Sequence, residues 1–110
     1  MCFVEPRPQS FASARTDEEY VLALDAATRR GEVLWRSLEG AAWLGEIHGV
    51  ACTEHAVSVR RGGAGCGVLQ TVDRRGRRLR TIVAGKKDAP LLLALTRLLV
   101  AVYAIVEGAT

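Results

Sequence analysis

The run "PLLLALTRLLVAVYAIV", residues 90–106, restricts what this chain can fold into more than any other feature. Leu91, Leu95, Leu98, Val102 and Ile105 recur at helical spacing on one face, and Leu92, Leu99 and Val106 widen it. Asp88 suits the N-cap, Pro90 suits the first turn, and the helix is expected to end before Gly108. A helix this apolar needs cover. A membrane span needs about 20 residues, and an arginine at the centre of one, here Arg97, costs about 2.5–3.5 kcal/mol. The run is therefore read as a core helix with no membrane insertion. A chain of 110 residues supports one domain and one core, too little to cover so broad a surface. Leu92, Leu95, Leu99, Val102 and Val106 are accordingly assigned to a partner interface.

The other elements follow from local pattern. Residues 1–15 read as a flexible lead-in without a signal peptide, and 16–110 as a single domain. In "TDEEYVLALDAATRRG", Thr16 and Glu19 have capping-box spacing, acids fill the first turn, Arg29 and Arg30 the last, and Gly31 stops the helix. "EVLWRSL" alternates and predicts a strand over 32–38, with a turn at Glu39-Gly40. "AAWLGEIHGVACTE" has no clear period, so an enlarged loop with a short helical or extended piece is expected at about 40–66; "HAVSVRR" within it alternates as a strand does, and "GGAGCG" is a turn. "GVLQTVD" and "RLRTIV" predict a hairpin around "DRRG". The fold class is α+β: an antiparallel sheet of three strands, or four, with two helices on one face, in the order α-β-β-β-α. Alternation places Arg78, Arg80 and Ile82 on one face of the last strand, and Leu79, Thr81 and Val83 on the other. Leu79 and Val83 are expected beneath the helices, Arg78 and Arg80 on the open face.

Charge is strongly segregated. Residues 1–59 carry a net −4, residues 60–87 a net +8, and residues 88–110 a net −1. Five arginines, Arg74, Arg75, Arg77, Arg78 and Arg80, fall within seven positions, and Arg60, Arg61, Lys86 and Lys87 extend the basic set. Guanidiniums crowded on a short ribbon repel one another unless something answers them. The planar arginine fork matches phosphate in bidentate fashion, so a nucleic-acid backbone is the expected partner. These nine residues are the expected RNA-binding set.

Other chemistry is weaker. His48, Cys52, His55 and Cys66 are zinc-ligand types, but no Cys-x-x-Cys knuckle is present, so no metal and no cofactor are expected. "GGAGCG" lacks the Gly-Lys-Ser/Thr ending of a phosphate loop. No nucleophile–base–acid order is visible, so no catalytic residues are assigned and the protein is not read as an enzyme. Three cysteines, an odd number, point to reduced thiols and a cytoplasmic location.

One resemblance joins these features. "CGVLQTVDRRGRRLRTIVAGKKDAPLLLALTRLLVAV" resembles the C-terminal half of the fourteen-kilodalton Alu-domain subunit family of the eukaryotic signal recognition particle. "TVD", "RRGRR" and "LRTIV" stand where that family has a strand end, a basic hairpin and a second strand. "EEYVLALDAATRRGEVLWRSLEG" is similar to its first helix and strand. The resemblance covers about residues 17–40 and 66–107. The family's first loop is basic and "AAWLGEIHGVACTE" is not, so only the hairpin arginines carry over. The resemblance implies a helix–three strands–helix fold, with "HAVSVRR" part of the enlarged loop or an extra edge strand, and a heterodimer with a nine-kilodalton subunit of the same fold. The open sheet face would grip structured RNA, and the complex would contribute to translation elongation arrest during protein targeting. The expected function is thus an RNA-binding structural subunit of a ribonucleoprotein, partnered by that related subunit or by a second copy of itself. The alternative is a protein–protein assembly module that binds no nucleic acid.

Overall fold

The computed structural model describes residues 10–48, 52–62 and 66–108. Its elements run α1 (Asp17–Arg29), β1 (Val33–Leu38), β2 (Ala42–Ile47), β3 (Ala56–Arg61), β4 (Gly67–Val72), β5 (Arg78–Ala84) and α2 (Ala89–Gly108). The fold is α+β, and the strands form one antiparallel sheet in sequence order, β1 to β5. The sheet has five strands where three or four were expected. The enlarged loop expected at about 40–66 contains two of them, and the "HAVSVRR" strand is the central strand, not an edge. Residues 49–51, and 63–65 within "GGAGCG", lie outside the described residues.

The β2 pattern was hidden by its composition. Trp43, Gly45 and Ile47 face the helices, Ala42, Leu44 and Glu46 the open side. Gly45 breaks the apolar rhythm because space forbids anything larger. A Cβ there would lie 2.7 Å from Val33 Cγ1, 2.9 Å from Val57 Cγ1 and 3.0 Å from Trp35 Cε3. The β1–β2 turn places Gly40 at φ 77° and Ala41 at φ 54°, left-handed backbone that glycine adopts freely and alanine does not.

Both helices cover one sheet face. The α1 N-cap is Thr16, whose hydroxyl accepts from the Glu19 amide at 3.1 Å, and Gly31 beyond the helix has φ 77°. Asp88 caps α2, its carboxylate accepting from the Leu91 amide at 3.2 Å. Leu24 and Val21 of α1, and Leu95, Leu98 and Val102 of α2, meet Val57, Val59, Leu69 and Ile82 of the sheet in one core. Part of the expected lead-in belongs to this core. Phe11 is buried, with its ring 5.1 Å from that of Tyr20, so the core takes in the chain from Phe11 onward. Residues 1–9 lie outside the described residues. Among the described residues no helix lies over the other sheet face.

Candidate nucleic-acid interface

The β4–β5 bend is organised by one carboxylate. Asp73 Oδ1 accepts from the backbone amides of Arg75 and Arg77, both at 2.9 Å. The Asp73 amide donates to the Arg77 carbonyl at 2.9 Å, the Gly76 amide to the Asp73 carbonyl at 3.0 Å, and Gly76 takes φ 83°. The bond from the Arg77 amide, assisted by that from Arg75 and by the charge of both side chains, holds the Asp73 carboxyl below its ordinary range. The "DRRGR" sequence builds its own turn: an Asx-type acceptor, a glycine for the left-handed residue, and basic side chains left over.

Those side chains are exposed. Arg74, Arg75, Arg77 and Arg78 stand in solvent, and none has a carboxylate within 4.0 Å among the described residues. Arg78 pairs in register with Val72, an open-face position, as expected.

Arg80 differs, and the face assignment of β5 has to be corrected. Ile82 and Ala84 are fully buried beneath the helices, and Val83 is 66% exposed on the open side with Thr81 and Leu79. Arg80 is on the helix side. Its guanidinium lies 4.6 Å from the centroid of the Tyr20 ring, 3.5 Å from Asp17 Oδ1 and 3.4 Å from the Thr16 carbonyl. A register shift between Thr71 and Val72 sets Arg80 opposite Thr71 and Arg78 opposite Val72, with Leu79 as the extra residue. Alternation alone could not choose between the two faces. The partners waiting at the N-terminus of α1 decide it.

Beneath Arg80 lies a polar cluster that sequence reasoning missed. The buried Tyr20 hydroxyl donates to Glu54 Oε2 at 2.6 Å and lies 2.8 Å from Thr71 Oγ1. Burial first, and the Glu54 bond second, push the Tyr20 phenol well above its ordinary range. This cluster ties α1, the segment before β3, and the base of the basic hairpin together. The sequence carried no signal for it, since Glu54 and Thr71 are remote from Tyr20 in the chain.

The remaining basic residues do not join the bend. Arg60 and Arg61 end β3, and Lys86 and Lys87 follow β5, all at the end of the sheet away from residues 73–77. Strands of this length separate the two ends by about 20 Å. Eight of the nine expected residues therefore form two exposed clusters, and the ninth, Arg80, is a packing residue on the helix side near the bend. The zinc-type residues are likewise dispersed: His48, Cys52 and His55 lie at the bend end, and Cys66 is by Gly62 at the other. Burial raises the Cys52 thiol above its ordinary value, with the nearby charge of Glu54 adding to this.

The open face between the clusters is mainly apolar, with Leu34, Leu38, Val68, Leu79 and Val83 all exposed. Among the described residues it carries no Phe, Tyr or Trp ring, and the nearest aromatic group is the His48 imidazole at its edge, 3.3 Å from Glu46 Oε1. Phe11, Tyr20 and Trp43 are in the core, Trp35 donates its indole N–H to Thr28 Oγ1 at 3.1 Å, and Tyr103 is on α2. Two residues of the expected partner interface need correction. Leu95 and Val102 are core residues, and Leu92, Leu99 and Val106 are packed against the core.

No protein-family profile matches the chain, and no curated protein or solved structure matches it significantly.

Proposed function

We propose that this protein binds the phosphate backbone of structured RNA through the β4–β5 bend, as a binding module and not as an enzyme. One observation carries the reading. Arg74, Arg75, Arg77 and Arg78 project from a bend fixed by Asp73, exposed and without carboxylate partners among the described residues. A preset turn loses little ordering entropy on binding, and arginine forks pair with phosphate oxygens bidentately. With no Phe, Tyr or Trp platform on the open face, base stacking has little support there, and recognition follows RNA shape and backbone. Arg60, Arg61, Lys86 and Lys87 supply a second contact region about 20 Å away. Arg80 holds the base of the hairpin and is not in the proposed contact set.

The narrower reading places the chain in the cytoplasm as an Alu-domain subunit of the signal recognition particle beside a nine-kilodalton partner. That resemblance implies three strands, and the sheet has five. The general reading, backbone binding by a basic hairpin, is therefore the one supported best.

The test is fluorescence anisotropy with a labelled, folded RNA over about 50–200 mM salt. Replacing Arg77 and Arg78 together with alanine should weaken binding and flatten the log–log salt slope by up to about 0.7–0.9 per lost contact. An unchanged affinity and slope would overturn the proposal and favour an acidic protein surface as the partner of these arginines.

A further inference from the structure

The solvent side of α2 carries an unpartnered stripe. Leu93 is 56% exposed, Val100 65% and Tyr103 59%, and Arg97, Ala104 and Glu107 are exposed along the same line. The spacing 93, 97, 100, 104, 107 is a continuous helical seam. None of it is needed by the core, which uses Leu91, Ala94, Leu95, Leu98 and Val102. Among the described residues neither Arg97 nor Glu107 has an ion-pair partner.

We propose that this stripe joins two copies of the chain, α2 against α2 and antiparallel, about a two-fold axis at Val100. The distribution of charge along the stripe selects this occupant. Two-fold symmetry at Val100 places Leu93 opposite Glu107 and Arg97 opposite Tyr103 of the other copy. From the two flanks of the seam the long Arg97 side chain reaches toward that tyrosine ring and is within one turn of that Glu107, and both contacts occur twice. Cation–π and opposite-charge contacts are thus satisfied by the sequence meeting itself. A parallel pairing would instead set Arg97 against Arg97 and Glu107 against Glu107. Ala104 opposite Thr96 keeps the helix axes close, and the antiparallel arrangement also opposes the helix dipoles. Within one helix Arg97 and Glu107 are about 15 Å apart along the axis, so they cannot satisfy each other in the monomer. The inference does not depend on RNA binding.

Sedimentation equilibrium of the full chain tests it. The parent should be a dimer at micromolar concentration. Val100→Arg puts two like charges on the axis and should raise the dimer dissociation constant about thirtyfold or more. Its circular dichroism and thermal unfolding, extrapolated to the monomer, should match the parent, since Val100 is exposed in each copy. Arg97→Glu and Glu107→Arg should each weaken the dimer several-fold. Together in one chain they should weaken it by less than the two single losses combined, because each swapped charge meets its complement across the axis while only the Arg97–Tyr103 contact stays lost. A monomeric parent overturns the proposal. So does a double swap as weak as its two components combined, or a monomeric parent that floats with zwitterionic phospholipid vesicles, which would make the stripe a lipid-facing surface.

Discussion

Replacing Tyr20 with phenylalanine should cost this small domain much of its stability, although the ring stays. The Tyr20 hydroxyl lies 2.8 Å from Thr71 Oγ1 and donates to Glu54 at 2.6 Å. Thr71 is fully buried, so without the phenol its hydroxyl has neither water nor a partner. A buried group left unsatisfied costs about 1–3 kcal/mol. Glu54 is only half-buried and can rehydrate, so its share is smaller. About 2 kcal/mol is expected, which lowers the unfolding midpoint of a domain this size by about 8–16 °C. Thr71→Val added to Tyr20→Phe removes both polar ends and should return most of the loss. The pH dependence provides a separate check. The Tyr20 phenol is raised above its ordinary value of 10.0, so the folded state keeps the proton better than the unfolded chain. That contribution is complete below pH 10 and falls away as pH climbs above it. Urea denaturation at neutral pH and above pH 10 reads both effects. A Tyr20→Phe protein within about 0.5 kcal/mol of the parent at neutral pH, with the same alkaline decline, would refute the reasoning.

Two further substitutions probe the sheet and the bend. Gly45→Ala forces a methyl against the side chains of Val33, Val57 and Trp35 and should destabilise by about 1–3 kcal/mol in urea denaturation, with an unchanged m-value. Asp73→Ala removes the acceptor for the Arg75 and Arg77 amides, so their hydrogen exchange should quicken while core amides keep the parent's protection. Because the folded-state pKa of Asp73 is depressed, the parent should loosen in the same two amides as pH falls below the ordinary carboxylate value of 3.8, and remain ordered above it.

Elements that specify themselves locally were legible in the sequence. Thr16 with Glu19, Gly31, and Asp88 with Pro90 bound the two helices, and "DRRG" marks the bend, because caps and turns use neighbours in the chain. The strands β2 and β3 were less so. Gly45 interrupts the rhythm of β2 for a tertiary reason, the Val33 and Val57 methyls and the Trp35 ring above it, and no local signal announces that. The breadth of α2 was visible, but which of its faces the core takes was not. Leu92, Leu95, Leu99, Val102 and Val106 looked equally available, and only packing shows that the accessible stripe is instead Leu93, Val100 and Tyr103. The candidate site was half legible. Its composition and the bend were plain, but the second basic cluster lies at the far end of the sheet, a consequence of strand direction.

Arg80 shows why the arginine run should not be treated as one unit. It sits two residues from Arg78, and a purely electrostatic reading makes them equivalent. The register shift at Thr71/Val72 separates them, turning Arg78 to the open side and Arg80 toward the helices. There Arg80 stacks on the ring of Tyr20, the residue whose hydroxyl bridges Glu54 and Thr71. Its charge is already answered by Asp17 and the Thr16 carbonyl at the start of α1. It would therefore lose existing contacts in turning to a phosphate, whereas Arg74, Arg75, Arg77 and Arg78 would lose none. The same bulge that withdraws Arg80 also increases the local twist of the hairpin. Arg80 thus couples the hairpin base to the first turn of α1, and the four arginines beyond it are carried by a ribbon anchored in the core. That anchoring is what makes a basic bend a preset surface instead of a mobile charge cluster. It follows that Arg80→Ala should act on stability and on the order of the bend, and the substitutions at Arg77 and Arg78 on the salt slope of binding.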